Sequence, residues 1–122
     1  MLPQPRILLV ENDVSVRHLI ITFLICLNCQ IEPVSSGEEA VQKLRDQPFN
    51  LVITCLEMSD MEARKLARTV KTLQPQCAVI LFTGSRKKFN PQAEKLNGID
   101  AIITKPTDLD TLRKEIAKWV GI

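Results

Sequence analysis

The chain has 122 residues, 45% of them hydrophobic and 25% charged, with a formal net charge of +2. That length suits one compact domain spanning residues 1–122, and the composition argues against disorder. So small a charge surplus does not point to nucleic acid.

The chain opens with Ile7, Leu8, Leu9 and Val10, a continuous apolar run that suits a parallel strand covered on both faces. Pro3 and Pro5 lead straight into it with no secretory leader, so the expected location is the cytosol. There the four cysteines stay reduced. A first helix follows. Val16, Leu19, Ile20, Phe23, Leu24 and Leu27 fall on one side at helical spacing and are the expected core face. Val14, His18, Ile21 and Ile25 fall on the other. An outward apolar stripe of this kind predicts an interface with a protein partner or a second copy of the chain. The longest apolar stretch, residues 19–27, is broken by Thr22 and reaches about half of the ~20 residues that cross a bilayer, so no membrane span is expected.

Cys26 and Cys29 form a C-x-x-C string, yet His18 is the only histidine. A zinc site would need two further ligands, so structural packing is the better reading. Residues 29–34 make a weaker strand, which Pro33 places at a sheet edge or at its own end. Ser36, Gly37, Glu38 and Glu39 form a capping box opening a helix to about Asp46. Leu51, Val52 and Ile53 are the next strand, ending at Cys55. A second capping box, Ser59 to Glu62, precedes a helix through Leu66 and Val70 that carries Arg64, Lys65, Arg68 and Lys71. Val79, Ile80, Leu81 and Phe82 lead to Thr83 and then to the basic run Arg86, Lys87 and Lys88. These cations suit a solvated face or an acidic partner. Asn90 and Pro91 start a further helix. Ala101, Ile102 and Ile103 lead to Lys105. Thr107, with Asp108 and Asp110 behind it, opens a last helix through Leu109, Leu112, Ile116 and Val120.

Five strands alternating with five helices predict an α/β fold with a parallel sheet and helices on both faces. In such folds the working site lies at the carboxyl ends of the strands. Those ends supply Glu11, Asn12 and Asp13, then Cys55, Thr83 and Lys105.

The segment from Arg6 to Arg17, the run from Ser35 to Leu44 and the triplet Thr104, Lys105 and Pro106 together resemble the receiver domain of two-component response regulators. The resemblance extends from Arg6 to Val120. It implies a flavodoxin-like (βα)5 domain, a signalling module rather than an enzyme, and a site where acidic residues hold Mg²⁺ while an aspartate takes a phosphoryl group from a kinase histidine. A lysine pairs with that phosphoryl group, a Thr or Ser hydroxyl follows it, and an aromatic on the fifth strand responds. Glu11 matches the first acidic position, and Thr83 and Lys105 are kept. Asn12 replaces a metal-binding acid, Cys55 stands at the acceptor position, and Ile102 takes the place of the switching aromatic. By this resemblance the lysine also follows a pattern in which the Lys105–Pro106 peptide is cis.

The expectation is a degenerate receiver acting through protein contacts, with Mg²⁺ binding weak or lost and no other cofactor. Its partners would include other domains of a larger signalling protein. Two other readings stand beside it. One is a thiol-based redox sensor centred on Cys55; the other is a receiver phosphorylated elsewhere, at Glu57 or Asp60.

Overall fold

The computed structural model describes residues 4–25, 27–55, 62–83, 91–104 and 109–120. Strands and helices alternate throughout: β1 Arg6–Val10, α1 Val14–Ile25, β2 Gln30–Val34, α2 Gly37–Asp46, β3 Leu51–Thr54, α3 Ala63–Leu73, β4 Ala78–Thr83, α4 Pro91–Leu96, β5 Ala101–Thr104 and α5 Leu109–Val120. The five strands form one parallel sheet in the order β2-β1-β3-β4-β5, the doubly wound arrangement expected of a flavodoxin-like fold. Edge placement of β2 accommodates Pro33, which has no N–H to give a second neighbour.

Side chains alternate across the sheet and build two cores. Leu8, Val10, Val52, Val79 and Leu81 pack against Ala40 and Leu44 of α2 and Leu66, Ala67 and Val70 of α3. Ile7, Leu9, Ile53, Ile80 and Ile103 face the other way, onto Ile20 and Leu24 of α1 and Leu112 and Ile116 of α5. Covering on both faces explains why the central strands read as unbroken apolar runs.

Caps settle the helix starts. Ser36 accepts a hydrogen bond from the Glu39 N–H at 3.1 Å, as expected for the start of α2. Of the second expected box only Glu62 is among the described residues. Helix α3 begins at Ala63, and Glu62 takes the extended backbone of a cap with no side-chain cap bond. The Glu62 carboxylate turns instead to Arg64, at 2.8 Å. Ser59 and Asp60 lie outside the described residues, as do Cys26, Glu57, Arg86, Lys87, Lys88, Asn90, Lys105, Pro106, Thr107 and Asp108.

Helix α1 departs from the expected division of its faces in two places. Leu19, placed in the core by its spacing, is 54% exposed. Ile21, placed outward, is half-buried and packs against the α1/α5 core. Both residues sit about 100° from Ile20 around the helix, one on each flank. The pattern is symmetrical there, and the fold covers only the Ile21 flank. Val14 and Ile25 are 53% and 66% exposed, and His18 is exposed too. No helix among the described residues is long and apolar enough to cross a membrane.

Helix α4 and the segment that follows it are fastened to α3 by polar links at regular spacing. Arg64, Arg68 and Lys71 reach Glu94, Asn97 and Asp100 respectively. Residues three and four apart share a helix face, so these cations form one row on α3. The segment opposite answers them with an acceptor every third residue.

Candidate functional site

Four strand ends converge on one edge of the sheet. Val10 of β1 pairs with Thr54 of β3. Glu11 and Cys55, the next residue of each, therefore leave adjacent strands side by side. Thr83 ends β4 and pairs with Thr104, which ends β5 just before Lys105. Glu11, Cys55 and Thr83 are all buried, whereas Asn12 and Asp13 are exposed. The structure thus gathers Glu11, Cys55 and Thr83 at one edge; Lys105 lies outside the described residues.

Local bonding fixes the β1–α1 corner. The Glu11 N–H donates to the Val34 carbonyl at 3.1 Å, tying the corner to the end of β2. Arg17, one turn into α1, donates from Nη1 to the Glu11 carbonyl at 2.8 Å. Asp13 is the residue whose use the sequence reading missed. Its Oδ1 accepts from the N–H groups of Ser15 at 2.8 Å and Val16 at 3.1 Å, which makes it the N-cap of α1. An aspartate just before a helical pattern is the signal that could have identified it.

Two further threonines, Thr54, which the sequence reading did not single out, and Thr104, also line this edge. Thr54 is fully buried and its hydroxyl donates to the Cys55 carbonyl at 3.2 Å. Thr104 Oγ1 is buried without a hydrogen-bond partner among the described residues. By strand alternation Thr54, Thr83 and Thr104 continue the α2/α3 face of the sheet. Ile102 packs on that same face, against the α2/α3 core.

The other two described cysteines lie away from this edge. Cys77, just before β4, is buried and its thiol is pushed up to about 12, mainly by desolvation. Cys29, just before β2, is half-buried and its thiol is likewise raised by burial. Its sulfur rests against the Leu27 carbonyl at 3.5 Å.

Comparison with known proteins agrees with the geometry. The chain is 28% identical over 116 residues to the response regulator receiver protein CpdR of Brucella abortus, covering 94% of this chain and 96% of that one. It is also 28% identical over 113 residues to the transcriptional regulatory protein ZraR of Escherichia coli K12, but spans only 25% of that protein's length. The crystal structure of a CheY-like response regulator receiver domain protein from Methanospirillum hungatei superposes with a TM-score of 0.88 at 25% identity, covering 98% of this chain and 95% of that one. The response regulator receiver domain family matches residues 7–117. By this match, the chain belongs to the response regulator receiver domain family of two-component signalling.

Proposed function

We propose that this receiver domain has lost its phosphoryl-accepting chemistry and signals by contact with other proteins. The observation that carries the reading is the buried Cys55 beside Glu11 at the ends of β3 and β1. A thiol cannot form the acyl phosphate that a carboxylate forms, and sulfur is a soft ligand ill-matched to Mg²⁺. The remaining donors fit that ion poorly as well. Asn12 offers a neutral amide, and one Asp13 oxygen is committed to two backbone N–H groups. Only Glu11 supplies a buried carboxylate among the strand-end positions described. Ile102 is an aliphatic side chain half-buried against the α2/α3 core, with no polar tip to exchange between two positions.

On this reading the domain turns over no substrate and works in the cytoplasm, without nucleic-acid or membrane contact of its own. Its partner is a second copy of the chain or another protein, including a neighbouring domain of a larger signalling protein. The surface that supports such contact is α1, where Val14, His18 and Ile25 are exposed on one side. Three of these four expected interface positions remain outward; Ile21 belongs to the core margin.

Intact-mass measurement after acetyl phosphate with Mg²⁺, and separately after peroxide, tests the proposal. No adduct under either treatment is the expected result. A phosphoryl adduct, whether on Glu57, Asp60 or elsewhere, overturns it, and fast oxidation at Cys55 replaces it with the thiol-sensor reading.

A further inference from the structure

At the amino ends of β4 and β5, opposite the strand-end site, a groove of about 460 Å³ runs between α3 and the α4–β5 connection. Among the described residues its charged lining consists of Arg68, Lys71, Lys95 and Asp100, three cations against one carboxylate. That surplus equals the formal net charge of the whole chain, +2. Lys71 is neutralised by Asp100 at 2.7 Å. Arg68 has no ion-pair partner among the described residues, and its Nη1 donates to the neutral Asn97 Oδ1 at 3.0 Å. Lys95, and Lys65 one turn from Arg68, are exposed and have no ion-pair partner among the described residues. Helix α3 itself carries four cations and no acid in the sequence ARKLARTVKTL.

Beside these charges stands Leu96, 90% exposed at the end of α4. The described part of α4 is built the opposite way from an ordinary surface helix, since it buries Glu94 and presents Leu96 to water. The row of links from α3 to Glu94, Asn97 and Asp100 holds it so. Gly98 completes the arrangement at φ +91°, where an added Cβ would lie 2.9 Å from Lys71 Cγ. The groove is therefore preorganised, and a ligand need not order it.

We propose that this groove docks an acidic peptide segment of a partner protein, with an apolar side chain of that segment set against Leu96. The charge surplus selects carboxylates, and Leu96 supplies an anchor point that a free anion would not use. Nucleic acid fits less well, because among the described residues no aromatic side chain lines the groove for base stacking. The inference holds whether or not the strand-end site accepts a phosphoryl group, so each stands or falls separately.

The test is an amide-shift titration of the ¹⁵N-labelled full chain with a short peptide of glutamates around a central leucine. Controls are the same peptide with serines for glutamates, inorganic phosphate and a thymidine oligonucleotide. Shifts clustered at Thr72 and residues 95–98 with the acidic peptide alone are expected. Lys65→Glu with Lys95→Glu should weaken binding by about tenfold or more, and Leu96→Asp should weaken it independently. All three positions are exposed, and unchanged circular dichroism would confirm that the variants fold. No shift at the groove, equal shifts with phosphate or the oligonucleotide, or wild-type binding by the charge-reversed variant would overturn the proposal.

Discussion

Arg64 grips the carboxylate of Glu94 with two parallel bonds, Nε to Oε1 and Nη2 to Oε2, each 3.0 Å long. The two residues are thirty apart in sequence, and the pair joins α3 to a helix of only six residues. Glu94 is 5% exposed, whereas Arg64 keeps part of its side chain in solvent. Asn97 Nδ2 adds a further donor to Glu94 Oε1 at 3.2 Å. A fork of this kind is among the stronger side-chain contacts available to a protein.

Glu94→Ala should therefore destabilise the fold by about 1–3 kcal/mol, below the full cost of breaking a deeply buried pair because Arg64 remains hydrated. The contribution is also pH-dependent. Hydrogen bonding to Arg64 holds the Glu94 carboxyl below its ordinary value. Its stabilisation is then complete above the unfolded-state value of about 4.3 and fades as pH falls through the lower folded-state value. Urea midpoints measured from neutral pH down to pH ~3 should show the wild-type advantage over Glu94→Gln shrinking with acid. A constant difference across that range would contradict the assignment.

Asp13→Ala should cost about 1 kcal/mol, the usual loss of an N-cap, and Asp13→Ser should recover most of it. Both can be read from chemical denaturation. If Asp13→Ala is neutral, the two bonds to Ser15 and Val16 do not anchor α1.

Gly98→Ala should destabilise by about 1–2 kcal/mol, because alanine disfavours a positive φ. The new methyl would also crowd the Ala67 carbonyl oxygen, 3.1 Å away, and Lys71 Cγ. Thermal unfolding at matched pH measures the effect, and an unchanged midpoint would argue against that backbone geometry.

The fold was legible because each central strand is a continuous apolar run and the stretches between carry helix start signals or an apolar period. Leu8 and Ile7 diverge to opposite cores although both look alike in sequence, which is what burial on two faces requires. The strand-end positions were legible for the same reason, since Glu11 and Thr83 each follow such a run directly and Cys55 follows one after Thr54. The role of Asp13 was not, because the same carboxylate suits a metal or a helix start. The choice between Leu19 and Ile21 depends on which neighbour covers the flank of α1, and no local pattern encodes it. The Arg64–Glu94 pair could be found only once α3 and α4 lay side by side.

Sedimentation of the wild type against Val14→Glu with Ile25→Lys tests the exposed side of α1. A concentration-dependent dimer for the wild type and a monomer for the variant are expected, as a self-complementary face would give. If both are monomeric, this face does not join two copies of the chain.

The most direct test of the disabled pocket is binding of beryllofluoride in the presence of Mg²⁺, followed by amide shifts at Glu11, Cys55 and Thr83. The wild type should show no saturable change. Asn12→Asp with Cys55→Asp should restore one, because Glu11 and Thr83 remain buried at the same edge and the substitutions return two hard oxygen ligands. Saturable binding by the wild type would contradict the account.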